Sequence, residues 1–314
     1  MNKANVYAPL EAVNLTLESV FAEQDSLLGG IETGIAKLDE KITPLKGITT
    51  LHAYTDHGKT ELGNIIQRHN TPLAETNEIV VEVLLEESIE EQGIKQISQE
   101  TTPLMSVFDI VRTKFTPEEK KKFTRAAMKL ATKPVWRIGN SQEDHRKKRR
   151  ITVPMLHDAL DWIVESQGKK IRFIKIDYLQ RFKMHKTGNE RLVFADMMDR
   201  LDSIAQGYAP ILLLAQSGRE ADKQKRMPYP SEIQETSSAE QFSRNVMSIY
   251  RPIKHYEKDS MWDFGGVSYK VDPMLFMIGI QKWKNVEYTP MYRAFMSNEK
   301  RDLVHQEPTK VKLN

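Results

Sequence analysis

Ala53-Tyr54-Thr55-Asp56-His57-Gly58-Lys59-Thr60 joins an apolar run to a polar, helix-forming one. Gly-Lys-Thr is a common tripeptide and carries little by itself. Its setting carries more: Ile48 to His52 reads as a strand, and Glu61 to Arg68 reads as a helix. A glycine-containing loop between a strand and a helix is the context of a phosphate-binding loop. Backbone amides of such a loop, together with the helix N-terminus, face phosphate oxygens. The expected ligand is ATP with Mg²⁺. Asp56, His57, Gly58, Lys59 and Thr60 are the candidate nucleotide-binding residues. Lys59 would bring a point charge to the β and γ phosphates, and the Thr60 hydroxyl would bind the metal ion. The imidazole of His57 reads as a filler rather than a catalyst, and Ala53 stands where such loops usually begin with glycine.

Outward from the loop, short apolar runs alternate with helical stretches. Strands are expected at Ile79 to Leu85, Val135 to Ile138, Ile171 to Ile176 and Ile211 to Ala215. Helices are expected at Thr152 to Val164 and Leu192 to Ala205, and Thr116-Pro117-Glu118-Glu119 is a helix start. This alternation implies right-handed βαβ units, and so an α/β fold whose mainly parallel central sheet is flanked by helices. From Val246 onward the chain is richer in strands and is expected to extend the sheet with hairpins.

In an open parallel sheet, ligands bind at the carboxyl ends of the strands. Three of the expected strands run into a polar residue suited to phosphate chemistry: Glu86, Asp177 and Gln216. Asp177 would hold Mg²⁺ directly or through water. Glu86 can polarise the attacking water, and Gln216 can sense the γ-phosphate. Any one of them could be an ordinary polar strand end. Three on one edge with a phosphate loop form a site.

The totals bound the alternatives. The chain has 314 residues and no cysteine, which excludes disulfides, thiolate zinc sites and cysteine nucleophiles. No stretch approaches the roughly 18 apolar residues of a membrane span, and the N-terminus lacks a secretory pattern. The formal charge of +3 neither demands nor excludes nucleic acid, so local clusters decide. Two stand out: His145-Arg146-Lys147-Lys148-Arg149-Arg150 and Lys223-Gln224-Lys225-Arg226. The first reads equally as a solvated loop or a phosphate contact. Lys223, Lys225 and Arg226 are candidates for nucleic-acid contact, and Lys183, His185 and Lys186 could also line a channel. The four tryptophans read as core or interface residues.

In four passages the sequence resembles the replicative DNA helicases of the DnaB type, a branch of the RecA-like ATPases. These are Thr33-Gly34-Ile35 with Leu38-Asp39, Leu85-Glu86-Glu87-Ser88 with Glu90, Ile176-Asp177-Tyr178-Leu179-Gln180, and Glu235-Thr236-Ser237-Ser238-Ala239-Glu240-Gln241 ending in Tyr250-Arg251. The likeness covers about residues 29 to 297. It implies a RecA-like P-loop fold, a ring-shaped homo-oligomer of hexameric type with nucleotide sites between subunits, and single-stranded DNA threaded 5′ to 3′ through the centre. Glu86 falls on the family's catalytic glutamate. Gln234, Glu235 and Ser237 fall on its DNA-contacting loop, which reads backbone rather than bases. Lys282 and Lys284 fall where the family presents a lysine and an arginine finger to the neighbour's γ-phosphate. A primase or loader partner and a cytoplasmic setting, in a bacterial or phage-infected cell, are also implied.

This sequence departs from the family at several places. Lys284 is a compact charge without the planar fork of arginine. Gln234 stands where an arginine is usual, and Ser237 where a glycine is usual. The expected organisation is a linker or docking helix within residues 1–28, the ATPase domain over 29–300 and a loose tail over 301–314. Leu10, Val13, Leu17, Val20 and Phe21 recur at helical spacing, and that stripe would pack on its own domain or grip a neighbouring subunit. With so few residues ahead of the core, the family's primase-recruiting N-terminal domain is expected to be missing. The rival reading is a non-unwinding RecA-like ATPase that loads a helicase or acts as a DNA-binding switch.

Overall fold

The computed structural model describes residues 30–311, apart from 73–75, 102–103, 113, 183–189, 234–236, 285–289 and 298–302, together with positions 13, 14 and 17. The expected N-terminal helix therefore lies outside the described residues, except that Val13, Asn14 and Leu17 are helical. Lys183, His185, Lys186, Gln234 and Glu235 also lie outside them.

The apolar runs form β1 (Ile48–Ala53), β2 (Glu78–Leu84), β3 (Val135–Gly139), β4 (Lys170–Asp177), β5 (Ile211–Gln216) and β6 (Asn245–Tyr250). Then follow β7 (Met261–Phe264), β8 (Val267–Lys270), β9 (Leu275–Trp283), β10 (Met291–Ser297), β11 (Leu303–His305) and β12 (Lys310–Val311). The main sheet has the order β11-β10-β9-β6-β1-β5-β4-β2-β3, and β12-β8-β7 form a small second sheet. Strands β6 to β3 along that order pair in parallel, whereas β9, β10 and β11 are added antiparallel. The phosphate-loop strand β1 sits between β5 and β6 and is buried along its whole length. That is the pattern of a parallel strand covered on both faces.

The long helices are α1 (Lys59–Asn70), α2 (Ile89–Glu100), α3 (Pro117–Ala131), α4 (Val153–Asp161) and α5 (Glu190–Gly207). One face of the sheet packs Val81, Ile174 and Leu213 against Leu156 and Leu160 of α4 and Met198 and Leu201 of α5. The other packs Leu51, Phe173 and Leu214 against Leu62 and Ile66 of α1. Leu62 and Ile66 are almost fully buried, so each contributes ~1.5–3 kcal/mol of apolar burial toward fixing α1. Thr116 caps α3 through a reciprocal pair with Glu119, as its sequence predicts.

Helix α2 carries Ile89, Ile94 and Ile97, which are only half-buried, and the residues it buries are the polar Gln92 and Ser98. It faces a polar seam. Gln92 Nε2 donates to Glu82 Oε1 at 3.1 Å, and Lys175 Nζ reaches the same oxygen at 2.8 Å. Arg137 Nε donates to Glu82 Oε2 at 3.1 Å. Burial alone would raise the Glu82 carboxyl, but Lys175 and Arg137 hold it well below the usual carboxylate range. Lys175 and Glu82 are fully buried, and their pairing ties β4 to β2 just below Asp177 and Glu86.

The tail expected to be loose is instead paired along part of its length. β11 extends the main sheet, with Phe295 opposite His305, and Gln306 N donates to Ala294 O at 2.8 Å. β12 closes on β8. Leu303 packs against the core, which offsets the entropy lost in ordering an otherwise polar segment.

Candidate active site

The loop after β1 turns sharply because two residues take left-handed backbone. Asp56 has φ 61° and Gly58 has φ 91°. Aspartate tolerates that region better than most residues. Gly58 has a second constraint, since a Cβ there would lie 2.6 Å from the Phe276 ring. The loop then opens α1, twelve residues long, whose first amides and positive pole face the cleft above the strand ends.

That cleft has a volume of about 910 Å³, and Gly58, Lys59, Thr60, Glu86, Asp177 and Gln216 line it. The strand-end residues expected from the sequence thus meet the phosphate loop in one place. Thr60 Oγ1 donates to Asp177 Oδ2 at 3.0 Å, and Lys59 Nζ lies 3.6 Å from Asp177 Oδ1. That Oδ1 atom is buried without a hydrogen-bond partner. A hydroxyl beside a buried, under-satisfied carboxylate is a donor set that fits Mg²⁺. Gln216 Nε2 donates to Thr55 Oγ1 at 2.7 Å, so β5 touches the phosphate loop directly. Gln180 brackets Gln216, donating to its carbonyl and accepting from its amide, both at 3.2 Å. Glu86 is half-exposed, with Oε1 3.5 Å from Arg181 Nη2, while Glu87 pairs with Lys95.

The side chain of His57 turns inward. Its ring is 1% exposed and does not line the cleft. It packs against Tyr54, Tyr250 and His255, and its Nδ1 accepts the Arg251 N–H at 3.1 Å. Any nucleotide contact at position 57 is left to its backbone. Arg226, one of the expected nucleic-acid contacts, is engaged within the chain. Its guanidinium pairs with Glu232, with Nη1 3.0 Å from Oε2, and covers the Tyr229 ring at 4.1 Å. Lys223 is exposed and pairs with Glu220 at 2.7 Å, and Lys225 is exposed in the same turn. Ser237 opens a short helix, Ser237–Phe242.

Lys282 and Lys284 lie elsewhere. β9 runs antiparallel to β6, so Trp283 pairs with Asn245, level with Thr49 at the start of β1. That is about 13 Å below Ala53 along the strand, before the loop is added. Neither lysine can reach the phosphate loop of its own chain. Lys282 Nζ donates to Glu240 O at 2.7 Å, at the end of the Ser237–Phe242 helix, and Lys284 is exposed.

Tyr178 and Arg251 also belong to the site, though neither was among the expected site residues. Lys59 Nζ sits 4.7 Å above the Tyr178 ring, and Arg251 lines the cleft over Phe276. Arg251 directly follows β6, so the strand-end rule that found Asp177 could have found it too.

Burial depresses His52 to about 4, against a partly offsetting bond from Gln281. Burial, with His255, Lys254 and Arg251 nearby, depresses His57 to about 3. Both are neutral in the fold yet take a proton in the unfolded chain below the ordinary 6.5. Stability is therefore unaffected by these rings above pH 6.5 and is lost progressively as the pH falls from 6.5 toward the folded values, where the loss levels off. Each should cost ~2 kcal/mol between pH 7 and pH 5. The urea midpoint should drop over that interval, and His52→Gln should flatten the drop by about half. An unchanged midpoint would show that these rings are not held neutral.

Comparison with known proteins places this geometry. A solved structure described as an ATPase domain superposes with a TM-score of 0.70 at 18% identity, covering 94% of this chain and 99% of that one. A DnaB-like replicative helicase, solved in a study of its interactions with primase, gives a TM-score of 0.70 at 16% identity over 98% of this chain and 69% of that one. No curated protein sequence matches. The family described as the DnaB-like helicase C terminal domain matches residues 30–298. The match spans the phosphate loop, the strand-end carboxylates and the RecA-like sheet, so the chain belongs to the DnaB-like helicase C-terminal domain family and is an ATP-hydrolysing helicase.

Proposed function

We propose that residues 29–300 are the motor of a ring-shaped, hexameric helicase that translocates on single-stranded DNA, with nucleotide sites shared between subunits. One observation carries the ring: Lys59, Thr60, Glu86, Asp177 and Gln216 gather at one edge of the sheet, while Lys282 and Lys284 stand at the other. A head-to-tail ring brings one edge to the other, so each site is completed by its neighbour. Family membership supports a 5′-to-3′ polarity and a primase or loader partner.

Within one subunit the roles follow from chemistry. Lys59 and the loop amides hold the β and γ phosphates. Thr60 and Asp177 would hold Mg²⁺, which when bound offsets phosphate charge. Glu86 polarises the attacking water, and Lys284 of the adjacent subunit meets the charge developing on the γ-phosphate. Gln216 touches the phosphate loop, and the next residue, Ser217, bridges to Ile233, which directly precedes Gln234 and Glu235. A change at the γ-phosphate therefore has a two-residue path to the DNA-contacting loop, where Gln234, Glu235 and Ser237, with Lys223 and Lys225 nearby, follow the strand's backbone.

Glu86→Gln should bind nucleotide and metal yet hydrolyse about 10²-fold more slowly, because an amide cannot polarise water as a carboxylate does. Glu87→Gln should stay within a few-fold of wild type, since Glu87 is engaged with Lys95. Nucleotide binding by fluorescence and phosphate release separate the two steps. The reverse ranking of the two variants would move the catalytic role to Glu87.

A further inference from the structure

The basic run His145–Arg150 has no part in the mechanism above. A second cavity, of about 440 Å³, lies beside the nucleotide cleft at the carboxyl edge of β2, β3 and β4. His145, Lys148, Arg149, Arg150 and Arg181 line it, with Glu86 as its carboxylate. Arg149 is engaged by Asp144 at 2.8 Å, and the Asn140 amide is used on the Arg149 carbonyl at 2.9 Å. Lys148 and Arg150 have no ion pair among the described residues. The cavity therefore carries an excess of positive charge that one carboxylate does not neutralise.

Glu86 lines both this cavity and the nucleotide cleft. Its Oε1 lies 3.5 Å from Arg181 Nη2, and the two side chains are 47% and 45% exposed. A pair so exposed and so long biases an equilibrium by no more than ~5-fold. A phosphodiester matches the carboxylate in charge and in the two-oxygen fork it offers a guanidinium, but within the cavity it meets Lys148 and Arg150 as well. In competition for Arg181, with Lys148 and Arg150 alongside, the phosphate wins.

We propose that this cavity binds a phosphodiester of a nucleic-acid strand, and that the phosphate draws Arg181 away from Glu86, leaving the carboxylate free to serve the nucleotide cleft. Without the strand, Arg181 keeps Glu86 partly engaged. With it, hydrolysis accelerates, so ATP is consumed where nucleic acid is present. Inorganic phosphate offers the same oxygens, and a site for departing product would use the same cations. A strand is favoured because the cations are spread over two segments, residues 145–150 and Arg181, and a single small anion would not need them all.

The proposal rests on Glu86 being the water-polarising carboxylate, and the test keeps the two apart. ATPase rates of the full chain are measured without DNA and across an oligo(dT) titration. Binding of labelled oligo(dT) is measured by anisotropy over a range of salt, with a non-hydrolysable ATP analogue. Arg181→Gln should raise the DNA-free rate, by up to ~5-fold, and shrink the stimulation by oligo(dT) correspondingly. The double variant Lys148→Ala/Arg150→Ala should need more oligo(dT) for half-maximal stimulation. Its log K against log salt slope should fall by ~1.4, about 0.7 for each lost phosphate contact on a single strand. An unchanged slope and half-stimulating concentration, or an unchanged or lower DNA-free rate in Arg181→Gln, would overturn the proposal. So would a double variant whose inhibition by inorganic phosphate shifts while its oligo(dT) response stays intact, because the cavity would then be a product site. If Glu86→Gln hydrolyses normally, the catalytic reading itself has failed. If it is inactive and the other variants behave as wild type, only the coupling has failed.

Discussion

Lys59→Ala is expected to lower ATP hydrolysis by about 10²-fold or more while the chain still folds. Lys59 Nζ is the phosphate loop's cation, 3.6 Å from Asp177 Oδ1 and above the Tyr178 ring. Removing it leaves the β and γ phosphates with loop amides alone. It also leaves Asp177 without its nearest cation, and because both side chains keep some access to solvent, water can take the vacated place. None of the apolar clusters that hold the sheet to its helices includes Lys59. The far-UV spectrum and thermal transition should therefore stay close to wild type while phosphate release collapses. Full hydrolysis by a folded Lys59→Ala chain would remove the nucleotide site from this loop.

The second large effect concerns Lys284. In related phosphoryl-transfer enzymes an arginine supplied in trans accelerates turnover by about 10³ to 10⁵. A lysine lacks the planar fork, so Lys284→Ala should cost less, about 10²-fold, and should spare nucleotide binding. The position of β9 puts the residue out of reach of its own loop, so the loss should be complementable. Mixed rings of Lys284→Ala and Lys59→Ala subunits contain interfaces with an intact loop from one and an intact finger from the other. Co-expression should recover part of the activity that neither variant shows alone. Lys284→Arg should equal or exceed wild type. Verified mixed rings with no recovery, together with a Lys284→Ala rate like wild type, would remove the trans role.

The main sheet was legible because its strands are short, apolar and separated by helices with clear starts. Strand-end polarity also located Glu86, Asp177 and Gln216, since chain direction in a parallel sheet fixes which end of each strand meets the phosphate loop. Local patterning fails where burial is polar. Helix α2 hides Gln92 and Ser98 rather than an apolar stripe, because its partner is the buried Glu82–Lys175 pair. The inward turn of His57 and the Arg226–Glu232 pair depend on contacts with residues far away or on the opposite side of a turn, which spacing does not encode. The pairing of β11 and β12 was missed for the same reason: each borrows its partner from an earlier hairpin.

Strand displacement on a forked DNA is the direct test of a ring motor. The full chain is incubated with a fork carrying both single-stranded tails, one strand labelled, with ATP and Mg²⁺, and release of the labelled strand is followed over time. A ring motor that tracks single-stranded DNA should release it with ATP and with neither a non-hydrolysable analogue nor the Lys59→Ala variant. Blocking the 5′ tail with a bulky adduct should stop it. DNA-stimulated ATP hydrolysis without any strand release, on forks to which the ring is shown to bind, would contradict the motor and leave a loader or switch.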